Sequence, residues 1–160
     1  MREEPFLGAL LASLENVVDR LIVNDNSGEE RSTNLAIVDA SALARTGRLF
    51  LDRAPSENFP AARNRMLALH AGHDAGEWIA FVDADEVHGE LAATIASNLG
   101  NVAPTIDSVD GFTWHFFQSF DCYPTIERRM AFFRFSPELR WENLIHEKLV
   151  GARTGRHPDS

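Results

Sequence analysis

With 160 residues, 44% of them hydrophobic and 24% charged, the chain has the size and composition of one domain able to bury a core, which excludes a disordered polymer. A formal charge of −9, with only 15 scattered Lys and Arg, argues against nucleic acid as a partner, because phosphate backbones are gripped by clustered cations. The single cysteine, Cys122, leaves no internal disulfide to form, and neither a signal-peptide pattern nor an apolar run near ~18 residues is present, so the expectation is a cytoplasmic protein.

Taken in chain order, Pro5 suits the first turn of a helix, and Leu7, Leu10, Leu11, Leu14 and Val18 recur at three-and-four spacing, predicting an amphipathic helix over 5–17. A strand over 20–23 follows, closed by the turn-forming cluster Asn24-Asp25-Asn26-Ser27-Gly28. The spacing then predicts a helix over 32–45 stopped by Gly47, a short strand over 48–51, a loop over 54–58, and a helix opened by Pro60 and stopped by Gly72. Ile79, Ala80, Phe81 and Val82 form a continuous apolar run, the pattern of a strand buried on both faces of a mostly parallel sheet. A helix over 89–99 completes this part.

After Gly100 alternation replaces helical spacing. GFTWHFFQSF and RRMAFFRFS are aromatic-rich strand runs expected to pair with each other. The segment ELRWENLIHEKLVG has mixed periodicity and receives no assignment. The order βαβαβ followed by strands predicts an α/β domain, with a largely parallel sheet and an appended antiparallel portion.

The run EWIAFVDADE carries the most chemistry, because an apolar strand ends in three carboxylates, Asp83, Asp85 and Glu86. Open α/β sheets place their ligand crevice at the carboxyl ends of strands. Asp83 and Asp85, two positions apart, can present hard oxygens to one Mg²⁺ or Mn²⁺, with a bound diphosphate completing the coordination. The alternative is a solvated acidic turn that favours the N-terminus of the following helix. By chance a D-x-D triplet arises roughly 0.5 times in a chain of this length, so its setting has to decide. His70 and His73 lie three apart on a predicted helix without an evident third ligand, and are assigned to the surface.

Three segments supply a setting. EEPFLGALLASL with VDRLIVNDNSGEERS, then FPAARNRMLALHAGHDAGEWIAFVDADE, then WENLIHEKLVG occur in the order seen in inverting family 2 glycosyltransferases, and together the chain resembles that family. The resemblance implies a GT-A fold: a Rossmann-like mixed sheet flanked by helices, here as one partial domain over 1–160. Residues 1–100 would form the nucleotide-sugar-binding part and 101–160 the acceptor-side part. It further implies that Asp25 accepts a hydrogen bond from the base of the donor, most often uridine, and that Arg63 and Asn64 sit near the base and phosphates. Asp83 would contact the ribose or the metal, Asp85 would be the firmer metal ligand, His146 would touch the metal or the diphosphate, and Glu147 would be the catalytic base.

Each assignment has a structural counterpart. Asp25 could be a helix N-cap or turn residue, Arg63 a helix-surface cation, Asn64 a tether, and Trp141, His146 and Glu147 a staple holding their segment to the sheet. Glu142 and Asp121 are rival bases. The reaction implied is transfer of a sugar, with inversion, from a nucleotide diphosphate donor such as a UDP-sugar to an envelope glycan or lipid-linked acceptor at the inner face of the membrane. It needs a divalent cation on the leaving diphosphate and a base on the acceptor hydroxyl. The family's first strand would precede Glu3, where only Met1 and Arg2 stand, and Ser160 falls just after the acceptor-side segment. The chain is therefore expected to lack that strand and to compensate, for example as a domain-swapped homodimer. A catalytically silent nucleotide-sugar-binding fragment is the alternative. A nucleotidyltransferase is disfavoured because no glycine-rich basic loop follows a first strand.

Overall fold

The computed structural model describes residues 6–26, 33–71, 76–115, 125–145 and 147–151. Within them the chain is a mixed α/β structure built from small sheets and short helices. Helix α1 (Leu7–Leu14) leads to strand β1 (Leu21–Asn24), helices α2 (Thr33–Ala40) and α3 (Ala42–Arg45), and strand β2 (Leu49–Asp52). Helix α4 (Phe59–His70), strand β3 (Trp78–Ile79) and helix α5 (Glu90–Asn98) follow, and a 3₁₀ turn (Leu99–Asn101) leads into strands β4 (Ser108–His115), β5 (Thr125–Arg134), β6 (Arg140–Glu142) and β7 (Lys148–Val150).

The first unit is a parallel pair with a helical crossover. Leu21 pairs with Leu49, Val23 with Leu51 and Asn24 with Asp52. The leucine stripe of α1 buries itself on this pair: Leu7 and Leu11 pack with Val38, and Leu10 and Leu14 with Leu43. The helix predicted over 32–45 is broken at Ser41, whose extended backbone and hydroxyl, accepting from the Ala44 amide, cap a new helix. The break lets Leu43 turn fully into the core. Gly47, at φ +71°, ends α3 in the left-handed conformation, as its position suggested.

The second unit is antiparallel. β5 lies between β3 and β4, with Ser108 opposite Phe133, His115 opposite Thr125 and a bulge between Val109 and Asp110. The expected pairing of the two aromatic runs is thus observed. Its core is Leu67, Phe133, Phe135 and Leu139, joined by Ile79, Phe81, Trp141 and Leu149. The unassigned C-terminal segment forms a hairpin in which Trp141 faces Leu149 across β6 and β7. Gly151, at φ +86°, is required there, since a Cβ would fall 2.2 Å from the Glu138 carbonyl oxygen.

One expectation is corrected. The apolar run 79–82 is not a strand buried in a largely parallel sheet: β3 spans two residues, pairs antiparallel with β5, and its run is only half-buried. Among the described residues β1 and β2 pair only with each other. The physical reason is that the run faces two different cores. Ile79 and Phe81 join the aromatic cluster, whereas Val82, pointing the other way, packs on the cluster of Leu10, Leu14 and Leu43. The apolar character of 79–82 therefore reports a bridge between two units. No described helix is long and apolar enough to cross a membrane.

Candidate functional site

Helix α4 joins the two units and carries the polar side chains that matter. It is capped by Asn58, whose side-chain oxygen accepts from the Ala61 amide, with Pro60 in its first turn. Its predicted stop, Gly72, and the neighbouring His73 lie outside the described residues; the helix ends at His70. Successive residues on a helix point about 100° apart, so Arg63, Asn64 and Arg65 address three neighbours.

Arg63 reaches forward. Its guanidinium donates to Asp83 Oδ1 at 2.9 Å and lies over the indole of Trp141 at 4.6 Å. That indole is met edge-on by Phe81 at 5.2 Å. Asp83 ends the extended run and opens a turn in which the Glu86 amide donates to the Asp83 carbonyl, while Glu86 Oε2 accepts from the Asp83 amide. Asp83 and Asp85 are both exposed at this turn.

Asn64 is a tether. Its Nδ2 donates to the Trp141 carbonyl at 2.9 Å and its Oδ1 accepts from the Trp141 amide at 2.7 Å, a two-bond clamp between residues 77 positions apart. This clamp satisfies main-chain groups of β6 that would otherwise lack a partner on that edge, and it explains why the hairpin sits against α4. Both ends of the Asn64 amide are engaged in this way, which leaves the family-implied ligand contact without support from its geometry.

Arg65 reaches back to the first unit. Its Nε and one terminal nitrogen donate to the two carboxylate oxygens of Asp52 at 2.7 and 2.9 Å. Asp52 also accepts from Asn24 Nδ2 at 2.9 Å and from the Ala54 amide. The Arg65 hydrogen bond, followed by those of Asn24 and Ala54, holds the Asp52 carboxyl below its usual range against the opposing effect of burial. The same bond raises Arg65. Beside this knot stands Asp25, whose amide donates to the Asp52 carbonyl and whose carboxylate is 3.7 Å from Arg53 Nε. Asp25 directly follows β1, whereas Asp83 lies four residues beyond the end of β3.

The remaining candidates lie on the C-terminal hairpin. Glu142 ends β6 and accepts from Arg140 Nε at 2.7 Å. Glu147 is half-buried, one position before β7. Between them Asn143 takes φ +69°, and Leu144 and Ile145 are exposed. His146 and Asp121 lie outside the described residues. Asp83 and Asp85 offer the hard oxygens that Mg²⁺ or Mn²⁺ prefers, yet no group of three or more His, Cys, Asp or Glu is gathered for a metal among the described residues. A cation held there would complete its shell from phosphate oxygens and water. His70 corrects its surface assignment: it is half-buried, packed edge-on against Phe135 at 4.8 Å, with Nε2 3.4 Å from Glu77 Oε2.

Two roles were not marked in the sequence. Asp52 lay one residue past its predicted strand, and its signal is an aspartate at a strand end whose partner is thirteen positions away on a helix. Trp141 was assigned only a packing role, whereas it is also the surface on which Arg63 lies. A scan of the chain against protein-family models found no match, and a search of curated proteins found no significant one.

Proposed function

We propose that the chain is a GT-A-type domain of an inverting, divalent-metal-dependent glycosyltransferase, which moves a sugar from a nucleotide diphosphate donor to an envelope glycan or lipid-linked acceptor. The observation that carries this reading is the convergence of Arg63, Asp83 and Trp141. Two of the three segments chosen in sequence for their resemblance to one family, the one that carries Arg63 and Asp83 and the one that opens with Trp141, meet at a single guanidinium.

In this reading Asp25 accepts from the base, Arg63 donates to the phosphates, and Asp83 and Asp85 present oxygens to the cation. The cation, when bound, supplies neutralisation of the charge on the leaving diphosphate. Glu147 takes the proton of the acceptor hydroxyl, with Glu142 as its rival on the same hairpin. Arg63 suits the phosphate role because its plane is already set by Trp141 and its side chain is only 13% exposed, so little freedom is lost on binding.

The test is calorimetry with UDP-, GDP- and dTDP-sugars, each with Mn²⁺ and with chelator. One nucleotide should bind at least ten-fold more tightly with Mn²⁺, and Asp85→Ala should remove that difference. Equal affinities in Mn²⁺ and chelator sink the metal role, and no binding of any nucleotide by folded protein sinks the donor role. Glu147→Gln should keep donor binding while slowing transfer by about 10²- to 10⁴-fold. A protein that binds donor but turns over no acceptor, with Glu147 intact, is the silent binding module.

A further inference from the structure

The two residues assigned above to opposite parts of the donor, Arg63 to its phosphates and Asp83 to its ribose or cation, hold each other in this structure. Their settings differ. The Arg63 side chain is 13% exposed, braced on Trp141 and carried by a capped helix that Asn64 ties to β6. The Asp83 side chain is 48% exposed, on a turn closed by Glu86. Of the five N–H donors of the Arg63 guanidinium, only one nitrogen reaches an acceptor among the described residues. A cation so enclosed and so little used is suited to an anion with several oxygens, and Asp83 occupies the direction from which that anion would be bound.

We propose that the Arg63–Asp83 pair is a self-inhibitory latch on this site, an inference that rests on the donor-binding reading. An incoming diphosphate takes Arg63 from Asp83 while the guanidinium stays on Trp141, and the Asp83 carboxylate passes to a divalent cation. Anion and cation each have to break the same ion pair, so whichever binds second is spared that cost. Their binding is therefore positively coupled, over and above any direct contact between them, and the coupling is reciprocal. An ion pair with one exposed partner sets its size at up to about five-fold in affinity, or about 1 kcal/mol.

The test measures UDP binding by competition calorimetry in chelator and in Mn²⁺, for the unaltered chain, Asp83→Asn, Asp85→Asn, Arg63→Gln and the Arg63→Gln/Asp83→Asn double variant. The latch requires opposite signs for one substitution: Asp83→Asn tightens UDP about five-fold in chelator, where it releases Arg63, and weakens it in Mn²⁺, where it removes a ligand oxygen. Asp85→Asn, which alters the same local charge without touching Arg63, should change affinity in chelator by less than two-fold. In the Arg63→Gln background the gain from Asp83→Asn should vanish. If the unaltered chain binds UDP and Asp83→Asn is no tighter in chelator, the latch is overturned while the donor reading stands. A gain that persists without Arg63 overturns it in favour of long-range repulsion. If UDP binds to no variant, the series is repeated with GDP and dTDP, and absence of binding of all three in every variant overturns both. Thermal melting of each variant should stay within a few degrees of the unaltered chain, which keeps a folding defect from imitating any of these results.

Discussion

Helix α4 makes two arginine–aspartate pairs two residues apart, and they are built in opposite ways. In the first unit the aspartate is the enclosed partner: Asp52 is 8% exposed and Arg65 is 44% exposed. In the second unit the arginine is enclosed, with Arg63 at 13% and Asp83 at 48%. The first pair is bidentate and supported by Asn24 and Ala54, so every acceptor direction of the buried carboxylate is committed. The second is a single hydrogen bond to an exposed carboxylate on a turn. A buried anion with all its partners holds elements together, since removing any partner leaves a desolvated charge. A shielded cation with one exposed partner is held weakly and can be exchanged. The same two residue types thus serve as a structural knot on one side of α4 and as an exchangeable contact on another.

The comparison can be broken most forcefully at Asp52. Asp52→Ala should destabilise the protein by about 2–4 kcal/mol in chemical denaturation, because several charge-assisted hydrogen bonds joining α4 to β1 and β2 are lost together. A loss below about 1 kcal/mol would show that the two pairs are equivalent after all. Next in size, Asn64→Ala should cost about 1–3 kcal/mol, since the amide and carbonyl of Trp141 lose their side-chain partners. It should also loosen Trp141, seen as a red-shifted, more quenchable indole emission that Asp52→Ala does not produce.

The pH axis sharpens the contrast. The carboxyl of Asp52 is depressed in the folded state, chiefly by its Arg65 hydrogen bond, so its contribution is full above the ordinary carboxylate range near pH 4 and is lost as pH falls through the folded value. Stability measured downward from pH 5 should fall more steeply in the unaltered chain than in Asp52→Asn. Parallel acid limbs would remove Asp52 from the account. The smallest effect is expected at the other pair: Arg63→Gln should cost less than about 1 kcal/mol, because Asp83 returns readily to water. A larger loss would make Arg63 a second structural knot and would count against its assignment to a ligand.

Much of this was legible in the residues. The leucine stripe of α1 found its place because three-and-four spacing is a local property of a helix. The pairing of the two aromatic runs followed from their period of two. The break at Ser41 was not legible, since a serine within a helical pattern becomes a cap only when the packing of Leu43 rewards the bend. The run 79–82 misled because apolar character on both faces is the same pattern whether a strand lies within one sheet or bridges two cores. The acidic turn was identified as chemistry, but its partner was not, because nothing local distinguishes Arg63 from Arg65.

By itself the amino-acid sequence determined the class of the structure, the positions of most helices and strands, and the carboxylates at the end of the 79–82 run. These follow from periodicity, capping and turn chemistry, which act over a few residues. Only the tertiary structure decided which arginine meets which aspartate, that Asn64 binds the backbone of β6, and that Trp141 lies beneath Arg63. The physical reason is that each of these contacts joins residues 13 to 78 positions apart. Their partners are selected by how α4 packs between two cores, and that packing is a property of the whole fold.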